Sequence, residues 1–502
     1  MKPTLEFQGQ HIDAEDFFQR YQRTAVALRT AGVGEGDVVA ILMHNGPDLL
    51  ELMLAARWVG ALWCPINWHF KADEVQYILN DSKAKVLIAD AALLEGLLAE
   101  PAGFKLDGVT TFVTTRHGDL PALPSLPSWV AYRNAATAPN LAASAPRGAM
   151  FYTSGTTGKP KGILRAPSTP EQAARGLDVL RHCLGFEPGM RALVSAPMYH
   201  SAPNSYSIGA SQHNAHLFIQ TRFDAEDTLH MIAQHRITHA YLVPTMLVRM
   251  LRLPVGVRAR YDLSSVRFVA STGSPCPPDV KRAMIEWWGP VIYESYGASE
   301  LGYMTRLDSH EALRKPGSAG KPLPGTTVAI LDEQGAPVPQ GKAGLIYVHQ
   351  PAYADFSYIG NDAARQKMER DGLKTLGDIG YLDEDGYLFI VDRSADLVIS
   401  GGVNIYPAEI EAVLQMMPGV VDCAVFGIPD AEFGEALACA VQATRGTSLD
   451  ADDVQTFLKS RLATYKVPKT ITFHAEMPRE DTGKIFKRKL REPYWAGQAR
   501  RV

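Results

Sequence analysis

The chain has 502 residues, a formal net charge of −4 with histidine neutral, and 46% hydrophobic and 21% charged residues. That length exceeds a single hydrophobic core and predicts a large domain joined to a smaller one. The composition is that of a globular protein, and so weak a negative charge gives no electrostatic footprint for nucleic acid.

Five scattered cysteines, none in CxxC spacing, argue against a zinc site and a disulfide framework and suit a reducing compartment. Met1-Lys2 leads into mixed polar sequence rather than an apolar signal core. The longest apolar runs, such as Val38 to Met43, have strand length and fall short of a bilayer span. The expected location is the cytoplasm.

In chain order, Asp13 is expected to cap a helix running to Thr30, with Phe17, Tyr21, Ala25 and Leu28 on one face and Gly32 at its end. Val38 to Met43 reads as a strand buried on both faces. Asp48 is expected to cap a second helix through Val59, followed by an extended Cys64 to Ile66, a helix over Ala72 to Leu79 and a strand over Val86 to Ala89. Strand and helix alternate, which predicts an α/β layer with a mainly parallel sheet. Residues 120–146, rich in Pro, Ala and Ser, read as an irregular connection.

That connection leads into Phe151-Tyr152-Thr153-Ser154-Gly155-Thr156-Thr157-Gly158-Lys159-Pro160-Lys161-Gly162, with Ile163 and Leu164 opening the next strand. A glycine-rich turn between two strands can aim backbone N–H groups at phosphate oxygens. Its hydroxyls add donors, and its two lysines add positive charge. It is not a Walker A loop: Thr153 stands where the first glycine would be, and Pro160 follows Lys159.

The string from Tyr152 to Gly162 resembles the signature loop of the adenylate-forming superfamily, which includes acyl-CoA synthetases, peptide-synthetase adenylation domains and firefly-type luciferases. The resemblance implies that Thr153, Ser154, Gly155, Thr156, Thr157, Gly158, Lys159 and Lys161 bind the ATP phosphates, with Thr156 near Mg²⁺. Downstream, a helix is expected over Thr169 to Cys183 and a strand over Ala192 to Ser195. Pro197-Met198-Tyr199-His200 then resembles the family element beside the acyl carboxylate, which assigns Tyr199 and His200 to the acyl site. Strands over Thr238 to Leu242 and Val266 to Ala270 lead to Ser271-Thr272-Gly273-Ser274-Pro275. By resemblance, Ser271 and Gly273 floor the acyl pocket, while Gly273, Ser274 and Pro275 flank the adenine.

Glu294-Ser295-Tyr296-Gly297-Ala298-Ser299-Glu300 matches the aromatic-Gly-x-Thr/Ser-Glu pattern. It implies Tyr296 against adenine, Ser299 on phosphate and Glu300 on Mg²⁺, a metal that takes hard oxygen ligands. Glu294, Ser295, Gly297 and Ala298 join the nucleotide set. Lys315 to Gly325 reads as a rigid loop, with strands over Thr327 to Leu331 and Gly344 to His349 after it. Asp378 corresponds to the ribose-binding aspartate, since a carboxylate accepts from both hydroxyls of a vicinal diol. Asp383 to Gly386 reads as a hairpin turn.

Arg393 in Asp392-Arg393-Ser394-Ala395-Asp396 corresponds to the nucleotide-contacting arginine at the family's hinge. The usual pivot Asp or Lys is here Ala395. Ser400, Gly401 and Gly402 resemble the element along the CoA tunnel. A C-terminal module follows, with helices over Ala408 to Met416 and Asp452 to Leu462 and strands over Val420 to Gly427 and Leu437 to Gln442. Lys484 in Pro478-Arg479-Glu480-Asp481-Thr482-Gly483-Lys484 fits the adenylation lysine, and Lys487, Arg488 and Lys489 read as a solvated basic tail.

The implied fold is α/β, with a large N-terminal domain of mainly parallel sheets over residues 1–392, a hinge at 393–396 and a small mobile α+β domain over 397–502. The implied activity is an AMP-forming acyl-CoA ligase using ATP, Mg²⁺ and coenzyme A, with Lys484, Glu300 and His200 in catalytic roles. The alternatives are an acyl-AMP or carrier-protein-loading ligase and, from another class, a non-catalytic nucleotide-binding regulator, against which the retained Lys484 and Glu300 count. The partners are a small carboxylic acid, ATP and CoA, without nucleic acid and without a transmembrane segment; a homodimer is left open. Small residues at Ser201, Ala202, Ser207, Gly209 and Ala210 suggest a medium-to-long or bulky apolar acid: fatty, alicyclic, aromatic or sterol-type.

Overall fold

The computed structural model describes residues 1–100, 103–114, 123, 125–137, 141–153, 160–394, 396–401, 403–444, 446–479 and 485–496. They form two compact units: Met1–Gly273 with Asp279–Leu313 and Gln350–Lys367, and Ser274–Pro278 with Arg314–His349 and Met368–Val502. Among the described residues no helix is long and apolar enough to cross a membrane. The five cysteines are buried and form no disulfide with one another.

The first unit holds two parallel sheets. In one, the strands run in the order Ile292–Ala298, Phe268–Ser271, His239–Tyr241, Arg191–Val194, His216–Ile219 and Thr4–Phe7, every neighbouring pair parallel. Antiparallel strands Gly302–Leu307 and Gln10–Ile12 flank this parallel array. The other sheet is wholly parallel, in the order Leu62–Pro65, Val38–Leu42, Val86–Asp90 and Thr110–Thr114. Its two central strands, Val38–Leu42 and Val86–Asp90, are buried throughout, the pattern of parallel strands covered on both faces. A small antiparallel sheet joins Phe151–Thr153, Lys161–Arg165 and Phe356–Tyr358.

The second unit carries an antiparallel sheet of Thr327–Leu331, Gly344–His349, Leu373–Leu382, Glu369–Arg370 and Leu388–Arg393. Its other sheet is built on the long hairpin of Val420–Asp430 and Gly434–Ala443, with Val398–Ser400 and Thr470–Phe473 on the second of these strands. Helix Pro407–Leu414 covers it through Ile410 and Leu414, which are fully buried.

Most expected elements stand where the pattern put them. Asp13 caps the helix Ala14–Thr30, its carboxylate accepting from the N–H groups of Glu15 and Asp16. Three expectations need correction. The second helix begins at Pro47, so Asp48 lies inside its first turn rather than at the cap, where Pro takes the first position because its missing N–H is not needed; Asp48 instead pairs with Arg20. The stretch read as irregular contains the helix Trp129–Ala135. What organises it is tertiary: Trp129 is fully buried, and Arg133 donates to the buried Glu51 carboxylate at 3.0 and 3.1 Å. Lys487 is not a solvated cation: it pairs with Glu411 at 2.9 Å with only 18% of its side chain exposed. Burial opposes its charge, but Glu411, Asp396 and Asp392 more than offset that and hold the ammonium above its ordinary range. Arg488 and Lys489 are exposed, as expected.

Candidate active site

In an array of parallel strands the polar groups that meet ligands collect at the carboxyl ends. Here the ends of four neighbouring strands lead into Ser195 to His200, Leu242 to Pro244, Ser271 to Gly273 and Ala298 to Glu300. Gly273 has φ +98°, a left-handed backbone that explains glycine at that turn.

The Glu300 carboxylate is 9% exposed. It accepts from the Thr153 hydroxyl at 3.4 Å and from the Tyr358 hydroxyl at 3.2 Å, and Lys161 lies 5.2 Å from the centroid of the same Tyr358 ring. The two strands flanking the glycine-rich loop therefore deliver Thr153 and Lys161 to the neighbourhood of Glu300. This donor set, a carboxylate beside hydroxyl oxygens, suits Mg²⁺.

The hairpin itself is anchored. Tyr152 donates to Asp81 at 2.8 Å, and its ring crosses Gly162, where a Cβ would lie 2.8 Å from Tyr152 Cζ and 2.7 Å from Ile359 Cδ1. Arg165, at the far end of the hairpin, donates to the main-chain oxygens of Ser299 at 2.8 Å, Glu300 at 2.7 Å and Ala354 at 3.0 Å. It fixes the turn from which Glu300 projects. Neither Tyr358 nor Arg165 was singled out from the sequence, because no local pattern reports a side chain that acts on a segment 58 or more residues away.

Ser299 shares a 2.7 Å hydrogen bond with Ser201. Ser201 opens the helix Ser201–Gln212, and His200 stands at its N-cap without capping it. The ring of His200 turns inward, 4.3 Å from the Tyr199 ring, and its Nε2 is enclosed with no partner among the described residues. Burial lowers its pKa to about 4, so the imidazole is neutral near pH 7. Tyr199 meets Trp68 edge-on at 4.6 Å. Ser271 is buried, and its hydroxyl likewise has no partner among the described residues.

One of the small residues expected to leave open space does not: the Phe186 ring lies where a Cβ on Gly209 would stand.

In the motif strand Ile292–Ala298, Glu294 is 7% exposed and ion-paired with Lys281, itself 4% exposed. Ser295 is buried, Tyr296 half-buried, and the backbones at Gly297 and Gly302 approach so closely that a Cβ on Gly297 would lie 2.8 Å from the Gly302 carbonyl. Lys281 is a residue the sequence reading missed.

The second unit holds Ser274, Pro275, Asp378, Arg393, Ser400 and Gly401. Asp378 and Arg393 face each other across antiparallel strands, Arg393 Nε donating to the 4%-exposed Asp378 carboxylate at 3.1 Å. Next to Arg393, Asp392 accepts from the Ala408 N–H at 3.0 Å. Gly401 has φ +58° and donates its N–H to the Phe433 carbonyl at 2.9 Å. Ser154, Gly155, Thr156, Thr157, Gly158, Lys159, Ala395, Gly402 and Lys484 lie outside the described residues.

The AMP-binding enzyme family matches residues 1–355, and the AMP-binding enzyme C-terminal domain matches residues 409–484. The chain is 34% identical to a feruloyl-CoA synthase of Amycolatopsis over 97% of its own length and 94% of that protein's. It is 31% identical to the fatty acid–[acyl-carrier-protein] ligase ScoC of Streptomyces coeruleorubidus, over 100% of this chain and 95% of that one. The crystal structure of ATP-bound MatB from Rhodopseudomonas palustris superposes with a TM-score of 0.85 at 29% identity, covering 98% of this chain and 96% of MatB. The chain belongs to the AMP-binding enzyme family, the adenylate-forming enzymes.

Proposed function

We propose that this enzyme is an ATP-dependent acid–CoA ligase working in two steps. A carboxylate oxygen attacks the α-phosphorus of ATP, breaking the bond to the β-phosphate bridge, to give acyl-AMP and pyrophosphate. The CoA thiol then attacks the acyl carbon, loses its proton, and releases AMP. The observation that carries this reading is the gathering of Thr153, Lys161 and Tyr358 around the Glu300 carboxylate, beside the turn that Arg165 holds.

In the first step two anions must meet, so the site must supply positive charge and N–H donors where charge develops. Bound at Glu300 with Thr156 and the phosphates, Mg²⁺ would neutralise phosphate charge. The loop of Ser154 to Lys159, with Thr153 and Lys161, holds the polyphosphate. Tyr296 lies against adenine, with Glu294, Ser295, Gly297, Ala298, Ser274 and Pro275 shaping its slot, and Asp378 and Arg393 engage the ribose and phosphate. A neutral His200 beside the acyl carboxylate orients it without the cost of neutralising the nucleophile; Tyr199, Ser271 and Gly273 border the acyl group. Lys484 bridges carboxylate and α-phosphate, a task for a compact point charge.

The second step needs CoA where Lys484 has been. Residues 393–396 act as the hinge that lets the small domain over 397–502 exchange Lys484 for Ser400, Gly401 and Gly402. The acyl group is a medium-to-long-chain fatty or bulky apolar carboxylate.

Pyrophosphate release with Mg-ATP across carboxylates of graded size, with and without CoA, tests the reading. Release that requires an acid, with acyl-CoA formed when CoA is added, is expected. Acid-dependent release with no acyl-CoA would overturn the CoA step in favour of the carrier-loading reading, which similarity to the carrier-protein ligase keeps in view.

A further inference from the structure

We propose that Tyr358 and Arg165 are positioning residues for the metal-dependent half-reaction: Tyr358 turns the Glu300 carboxylate so that one oxygen faces the cation, and Arg165 holds the main chain behind it. The inference rests on the ligase reading above, with Mg²⁺ at Glu300, and names what sets the strength of that site.

Strand register puts both residues on one surface. In the small antiparallel sheet Thr153 lies opposite Lys161, Ile163 opposite Tyr358, and Arg165 opposite Phe356. Opposed residues, and residues two apart on a strand, project from the same face. Thr153, Lys161, Arg165 and Tyr358 therefore share a face, and the side chains of Thr153, Arg165 and Tyr358 all reach Ser299 or Glu300.

The two hydroxyls donate to the same carboxylate oxygen, Oε1 of Glu300, while Oε2 accepts no hydrogen bond among the described residues. Burial and the neighbouring Glu300 push the Tyr358 phenol far up, so it stays protonated and remains a donor.

No cation among the described residues forms an ion pair with this enclosed carboxylate. Lys161 lies against the Tyr358 ring, and Arg165 gives its N–H groups to the main-chain oxygens of Ser299, Glu300 and Ala354. A buried carboxylate needs a cation. One kept for structure alone would take the guanidinium already beside its own main chain. Arg165 binds the backbone instead, which leaves the charge on Glu300 for a bound ion and Oε2 as the oxygen that meets it.

Calorimetric titration of the full-length enzyme with Mg-ATP, and with ATP in EDTA, gives the ratio of the two dissociation constants without turnover. Tyr358→Phe keeps the ring and removes only the hydroxyl. It should shrink that ratio by ~10-fold or more, the range for groups that orient a metal ligand, with the affinity for metal-free ATP unchanged. Arg165→Lys keeps the charge but loses the planar fork that spans two segments, and should shrink the ratio as well. In both variants the Mg²⁺ concentration for half-maximal pyrophosphate release should rise in step, while thiolation of supplied acyl-AMP is spared. A wild type that binds ATP no better with Mg²⁺, a ratio unchanged in either variant, or equal loss with and without metal overturns the inference and leaves the ligase reading in place. A wild type that releases no pyrophosphate with any acid of the graded panel brings down the ligase reading itself. Retained binding of metal-free ATP reports that each variant has folded.

Discussion

A histidine kept neutral by burial ties the site to the stability of the fold. His200 has its pKa lowered to about 4, and so does His239, in each case chiefly by burial. The unfolded chain takes up these protons near the ordinary value of about 6.5. Both residues therefore contribute fully above that pH, and stability is lost as pH falls towards 4, with a slope of up to about 1.4 kcal/mol per unit for each. Urea unfolding at pH 7 and pH 5 should show the loss, and His200→Phe should reduce it; an unchanged difference would place the acid sensitivity elsewhere. Lys281 offers a second check at this scale. Its ammonium pairs with buried Glu294, so Lys281→Met, which leaves that carboxylate without the cation, should cost ~3–5 kcal/mol. Adding Glu294→Leu should return a large part of that loss, read from denaturant midpoints.

Among the elements, the antiparallel pair Ile292–Ala298 and Gly302–Leu307 carries the most constraint, because the turn between them bears Glu300. Gly302 has φ +73°, and a Cβ there would collide with the Tyr353 ring. Gly302→Ala should destabilise the protein by ~1–3 kcal/mol or more. It should also raise the Mg²⁺ concentration needed for half-maximal pyrophosphate release, whereas a purely structural effect would lower the midpoint of unfolding alone. Legibility at this scale follows from how local the cause is. The helix Ala14–Thr30 was readable because capping and periodicity lie in adjacent residues. The helix Ser201–Gln212 was not, since its Ser, Pro, Asn and Gly have low helix propensity and its order comes from burial: eight of its twelve residues are buried. The same holds for Trp129–Ala135, organised by a buried arginine–glutamate pair.

At the scale of the molecule, Glu300 and His200 belong to one compact unit, and Asp378, Arg393 and Gly401 to the other. The proposed exchange of half-reactions makes a prediction here. Lys484→Ala should lower adenylation by ~10²–10³, the scale for one electrostatic stabiliser, while thiolation of supplied acyl-AMP suffers far less. Equal losses in both halves would remove the role assigned to that lysine. By itself the sequence determined the family and the α/β class, because those are written in contiguous strings whose order along the chain is their meaning. Only the tertiary structure decided that Thr153, Tyr358 and Glu300 meet, that Arg165 holds their turn, that Lys281 balances Glu294, and that Gly209 is filled by Phe186 rather than open. Each of these joins residues distant in sequence, and burial and pairing between such residues exist only once the chain has folded.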